Sequence, residues 1–160
     1  MTPRHVAAAA CSAFLVLLCS ACQDLGPSQD YLLEDIATHR VIWESRRPSA
    51  YVYELERFCN CTEEARGPVR VRVRGMAVVE RRYTASGAAV ASSLEGVFPS
   101  VEGLFDLLEE AAKRDPWYIN MNWDPDLGYP RDLYVDFESN VIDDEVSYKV
   151  VTAPSADGGA

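Results

Sequence analysis

Residues 69–74 read Val-Arg-Val-Arg-Val-Arg, Gly75 follows, and a second run, AVVERRYT, occupies 77–84. A strict period of two cannot be sorted onto one face of a helix, whereas a strand places successive side chains on opposite sides. The sheet that contains these runs therefore has one apolar and one charged face, and the apolar face has to be covered. Gly75 supplies the positive φ of a tight turn, so the two runs read as a hairpin.

The same period recurs elsewhere. Tyr51, Tyr53 and Leu55 alternate with Val52, Glu54 and Glu56 in YVYELERFC. Trp117, Ile119, Met121 and Trp123 form another alternating set, as do Leu133, Val135 and Phe137, and finally Val146, Tyr148 and Val150. Two segments have helical spacing instead. From Asp30 to Ser45, Leu32, Ile36 and Trp43 share a stripe in which His39 also falls. From Val101 onward the stripe is Val101, Leu104, Phe105, Leu108 and Ala111, with Ser100 placed to cap it, acidic Glu102 early, and Lys113 and Arg114 late, as the helix dipole favours. DPDLGYP, 124–130, is rich in turn formers and joins two antiparallel strands. The order α, β, β, β, α, β, β, β predicts an α+β fold: an antiparallel sheet of five to six strands with two helices packed on one face.

The first 22 residues, MTPRHVAAAACSAFLVLLCSAC, have the grammar of an export signal, with Arg4 followed by an apolar run from Val6 to Leu18 and then small residues. That run is shorter than the roughly 18–20 apolar residues of a spanning helix. Its end, Leu18-Cys19-Ser20-Ala21-Cys22, resembles the lipobox of bacterial lipoproteins, although Cys19 departs from the usual Leu. The resemblance implies acyl chains on Cys22, membrane attachment without a spanning helix, and a place in the cell envelope. Gln23 is compatible with onward transfer to an outer membrane.

Setting aside residues 1–22 leaves 138 of the 160 residues, enough for one core. The expected organisation is a signal over 1–21, the anchor cysteine and a linker over 22–29, a single domain over 30–151 and a disordered tail over 152–160, TAPSADGGA. Arg4 is the one Asp, Glu, Lys or Arg in the removed segment, so 15 basic against 25 acidic side chains become 14 against 25, net −11. Such a balance argues against nucleic acid as a partner.

These pieces together resemble a family of small bacterial lipoproteins carrying a domain of unknown function. The matching features are Trp43 ahead of Tyr51-x-Tyr53, Cys59-x-Cys61, Gly67-Pro68-Val69-x-Val71-x-Val73, and Phe98-Pro99-Ser100-Val101 before Leu104-Phe105. Asp124-Pro125 with Gly128-Tyr129-Pro130, and Asp144-Glu145-Val146-Ser147-Tyr148, complete the set. The resemblance implies the envelope location and the fold, and brings no activity with it.

Few residues offer chemistry. Export removes Cys11 and Cys19 and acylation uses Cys22, leaving Cys59 and Cys61 in an oxidising compartment. In a straight strand their Cα atoms would stand about 6.5–7 Å apart, so a bridge needs a bend at Asn60; a static disulfide and a reversible redox pair both fit. No metal is expected there, since two thiolates need further ligands and His39 is distant in sequence. His39, four residues after Asp35, reads as a packed or half-exposed helix histidine, there being no nucleophile motif for it to serve. Asp124-x-Asp126 lacks the further oxygens of a calcium loop and reads as a β-turn. Arg70, Arg72 and Arg74 form a candidate binding stripe for an anionic polymer or partner, although nine acids in 115–145 could equally face basic strands across the sheet. The segment 85–99 is long for a connection, and its small residues favour mobility. The function expected is that of a lipid-anchored envelope protein with a binding or accessory domain, without cofactor and not catalytic. Its partners would be the membrane, through Cys22, and an unknown envelope protein or polymer. The alternative is a thiol-redox protein using Cys59 and Cys61.

Overall fold

The computed structural model describes residues 28–157; the export signal and Cys22 lie outside the described residues. The first helix, α1, runs Gln29–Arg46, with Ser28 capping it by accepting from the Tyr31 N–H. Strand β1 follows at Ala50–Phe58, then a single helical turn, α2, at Glu63–Arg66. The alternating runs become β2, Val69–Arg74, and β3, Ala77–Tyr83, and Gly75 sits between them at φ +63°. Helix α3 spans Val101–Lys113, and its Ser100 cap accepts from the Gly103 N–H. Strands β4, Tyr118–Trp123, β5, Pro130–Asp136, and β6, Val146–Ala156, complete the chain.

All six strands join one antiparallel sheet in the order β3-β2-β1-β6-β5-β4. The two hairpins therefore flank β1 and β6, which pair at the centre. The valines of β2 and Tyr51, Tyr53 and Leu55 of β1 are fully buried beneath the helices, as the period-two pattern requires. The stripe of α3 lies over them, with Phe105 and Leu108 at 0% exposure. Burying an aromatic or aliphatic side chain of this size contributes about 1.5–3 kcal/mol. Helices α1 and α3 run antiparallel: Gln29 donates to the carbonyls of Ala112 and Lys113, Arg40 pairs with Asp106 and Glu109, and Arg47 reaches Glu102. The contact to Lys113 satisfies a carbonyl that the end of a helix leaves without a partner, and the one to Ala112 adds a second donor to a carbonyl that already accepts from the Asp115 N–H.

Three expectations need correction. The tail over 152–160 begins within β6, where Glu54 pairs with Thr152, Val52 with Ser155 and Tyr51 with Ala156. Strand β1 is central, and its N-terminal half would otherwise leave buried N–H and C=O groups without partners, so a weakly strand-forming sequence is drawn into the ladder. Trp117 precedes β4 rather than belonging to its apolar face, and is 64% exposed, because it stands just past the end of α3. The segment 85–99 is pinned: Ala89 bridges to Arg82, Val90 and Phe98 are buried, and Ser92–Val97 forms a 3-10 helix. Three consecutive carbonyls at its end, Val97, Phe98 and Pro99, accept from Tyr148, Arg81 and Tyr53.

Candidate binding surface

The face of the sheet away from the helices carries the side chains alternate to the core. By the register, one cross-strand row runs Arg82, Arg70, Glu54, Thr152, and another runs Phe58, Ser147, Tyr134, Asn120. A third row, Glu56, Lys149, Asp132 and Asn122, lies between them. The result is a solvent-facing surface divided by chemistry: arginines on the β2–β3 side, aromatics, amides and acids on the β4–β5 side. Phe58 is 48% and Tyr118 53% exposed there, and the Tyr118 ring stands 5.9 Å from that of Tyr134.

The stripe Arg70, Arg72, Arg74 lies on this face with carboxylates already beside it. Arg70 meets Glu54 at 3.2 Å, Arg72 reaches Glu80 at 3.5 Å and Asp157 at 3.6 Å, and Arg74 meets Asp157 at 3.2 Å. The Glu80 carboxyl is held below its usual range, first by its hydrogen bond from Arg82. These carboxylates come from β1, β3 and the residue after β6, not from the nine acids in 115–145, whose strands β4 and β5 are separated from β2 by β1 and β6. Exposed pairs of this kind contribute at most about 1 kcal/mol each. Asp157, with a side chain only 7% exposed, is the partner that sequence reasoning missed, because it was assigned to the tail.

Cys59 and Cys61 follow the end of β1 with their sulfurs at bonding distance and their Cα atoms 5.3 Å apart. The chain therefore bends at Asn60, within the range a disulfide prefers. Beside the pair an open depression of about 490 Å³ is lined by Glu56, Arg57, Phe58, Cys59, Asn60 and Arg66.

His39 is packed between helix and sheet. Its ring stacks on Trp123, centroids 4.3 Å apart, and its Nδ1 lies 2.9 Å from the Asp35 carbonyl. The Asp35 carboxylate accepts from Trp123 Nε1 at 2.9 Å instead of chiefly orienting the imidazole. The loop after β4 also presses on α1: a Cβ at Gly128 would come within 2.8 Å of Ile42 and 2.9 Å of the His39 carbonyl, and its φ is +77°. Asp124 accepts from the Asp126 and Leu127 N–H groups, which makes it a turn residue.

The most deeply set charge is one the sequence pointed to for another reason. Glu102 in the first turn of α3 is 5% exposed; it accepts from Trp43 Nε1 at 3.1 Å and from the Tyr51 hydroxyl at 2.6 Å, with Arg47 Nε at 3.3 Å. The Tyr51 oxygen in turn accepts from the Val101 N–H. Burial, then the Glu102 hydrogen bond, push the Tyr51 phenol far above its ordinary value, so it stays a donor. The network ties α1, α3 and β1 together, and only Arg47, whose Nη1 reaches the carbonyls of Pro48 and Gly75, is partly exposed. Among the described residues no group of three or more His, Cys, Asp or Glu gathers to hold a metal, and no helix is long and apolar enough to cross a membrane.

No curated protein and no solved structure matches the chain. A family model does, over residues 35–153, from within α1 to within β6. Its span takes in β1 to β5 and α3 whole and most of α1 and β6, and ends before the last pairings between β6 and β1. The chain belongs to DUF6174, a family of unknown function.

Proposed function

We propose that this is a lipid-anchored protein of the cell envelope whose domain binds a partner through the open face of its sheet, without chemistry of its own. The observation that carries the binding reading is the set of aromatics Phe58, Tyr134 and Tyr118 on a face that no described helix covers and that the arginines of β2 share. Exposed aromatics beside amides and charges supply contact area and orientation together, which is what a recognition surface requires. The anchor reading rests on the lipobox-like Ser20-Ala21-Cys22 after an apolar run. Acyl chains contribute about 0.8 kcal/mol per buried methylene, so more than one chain holds the protein at a membrane.

Two measurements test this function. Cys22→Ala is expected to move the protein from the membrane pellet to the soluble fraction, and a variant that still pellets after a high-salt wash refutes the anchor. For binding, wild type and a Tyr118→Ala/Tyr134→Ala variant are compared in pulldowns from envelope extract. Loss of a retained component from the variant supports the open face, whereas identical retention rules it out. The thiol-redox reading draws on the bonded sulfurs beside the open depression. It requires the pair to cycle with a mild reductant while the domain stays folded; a pair inert until denaturation is structural.

A further inference from the structure

The two outer edges of the sheet are built differently. Strand β3 carries Glu80, Arg81 and Arg82, is bulged against β2, and has Ala89 bridged to Arg82 on its far side. Charges, bulges and covering segments are the usual ways of keeping an edge from pairing with another chain. Strand β4 has none of them along Tyr118-Ile119-Asn120-Met121-Asn122: no charge, no proline, and a register irregularity only at its end, between Asn122 and Trp123. Among the described residues no strand pairs with its outer side.

The direction of its free groups follows from one hydrogen bond. Trp117 N–H donates to the Phe137 carbonyl on the β5 side. Bonding alternates along an antiparallel pair, so odd-numbered residues bond inward and the N–H and C=O groups of Tyr118, Asn120 and Asn122 point out.

We propose that β4 is a self-complementary edge, onto which a second copy of this chain adds its own β4, antiparallel and centred on Asn120. The sequence 117–123, Trp-Tyr-Ile-Asn-Met-Asn-Trp, is nearly palindromic in chemical type. A two-fold through Asn120 sets Trp117 opposite the partner's Trp123, Ile119 opposite the partner's Met121, Tyr118 opposite the partner's Asn122, and Asn120 opposite itself. Ile119 and Met121 meet on the helix side, Trp117 and Trp123 stand at the two ends of the pairing, and amides meet amides or a phenol on the open side. The outward groups also match, because 118 with 122 and 120 with 120 are all outward-bonding positions, giving about six new backbone hydrogen bonds. Ile119 and Met121 are only partly buried, and Trp117 and Tyr118 are well exposed, so the added strand covers apolar surface that the single copy leaves wet.

Charge permits the contact. Within the paired span 118–122 there is no charge, and Asp115 and Asp124 flank the span at its two ends. The acids of the neighbouring strand, Asp132 and Asp136 on β5, stand three strand spacings from their counterparts across the joined edges, about 14 Å. That exceeds the screening length of about 8 Å at physiological ionic strength. Directly opposed residues in an antiparallel pair point to the same face, so both helix layers lie on one side and the two open faces merge into one. This inference rests on the edge of the sheet alone and stands whether or not the open face binds a partner.

The test uses the full chain. Asn120→Cys places two sulfhydryls at a position where opposed Cα atoms stand about 5.5 Å apart, suited to a disulfide. Mild oxidation is expected to give a species of twice the chain mass on non-reducing electrophoresis. Tyr118→Cys and Asn122→Cys are expected to link to each other when expressed together, while Val79→Cys on the opposite edge links to nothing. Asn120→Pro, which removes only an outward N–H, is expected to halve the sedimenting mass with the circular dichroism unchanged. If Asn120→Cys stays unlinked, or links only to a chain of different mass, the edge serves another polypeptide or the protein's own N-terminal segment, and the proposal is overturned. If Asn120→Pro misfolds, the cysteine pairs decide alone.

Discussion

Glu102 shows how much a single side chain can conceal from its sequence. Its position two residues after the cap made it a favourable first-turn acid, which any exposed Glu could be. In the fold the same carboxylate is the acceptor for Trp43 and Tyr51 and the counter-charge of Arg47. Glu102→Ala removes the acceptor while leaving two buried donors and a guanidinium behind, and breaking such a pair costs about 3–5 kcal/mol. Glu102→Gln keeps one good acceptor and is expected to cost less. Denaturant unfolding checks both, and a loss within experimental error for the alanine variant would sink the network as a stabilising unit. His39, by contrast, turned out as the helix pattern suggested: a packed ring, here against Trp123. Its stacking partner is 84 residues away in the chain, and no local pattern names it.

At the level of elements, periodicity was informative wherever one face is buried and the other wet. The stripe of α3 lies on the sheet as its spacing predicts, so Phe105→Ala should cost about 3–5 kcal/mol in thermal or denaturant unfolding. An unchanged melting temperature would mean that Phe105 is not part of the core. The end of β6 was illegible for the opposite reason: Thr152-Ala153-Pro154-Ser155-Ala156 has no apolar alternation and a proline, and it becomes strand only because β1 offers an unfilled side. Truncation after Val151 is therefore expected to destabilise the domain by about 2 kcal/mol or more, through lost buried backbone bonds at roughly 0.5–1.5 kcal/mol each. It also removes Asp157 from Arg72 and Arg74. A truncated chain that melts like the full one would show the end of β6 to be dispensable.

For the whole molecule, the core is unusually rich in tyrosine, and this sets its behaviour in alkali. Tyr51 and Tyr53 are fully buried, and burial raises both phenols well above their ordinary value, while Tyr129 is pushed up to about 12, by burial first and then by Asp124. An unfolded tyrosine loses its proton near pH 10. Above that pH the unfolded chain binds fewer protons than the folded one, so the stabilisation present below about pH 10 declines as pH rises toward 12 and beyond. Each shielded tyrosine contributes up to about 1.4 kcal/mol per pH unit to that decline. Unfolding followed by phenolate absorbance should show these rings ionising together with loss of structure. Ionisation of all tyrosines near pH 10 in a folded domain would contradict it.

What the sequence by itself determined is the set of elements and the side each buries, because a period of two or of 3.6 is a local property that burial must respect. It also marked Cys59 and Cys61 as neighbours able to bridge if Asn60 bends. The tertiary structure decided the strand order, the recruitment of the tail to β1, the pinning of 85–99 by three carbonyls, and the partners of Glu102 and of the arginine stripe. Each of these depends on which distant residue supplies a hydrogen-bond partner or an empty edge. Such a relation exists only once the chain has closed on itself, and a pattern confined to one segment carries no trace of it.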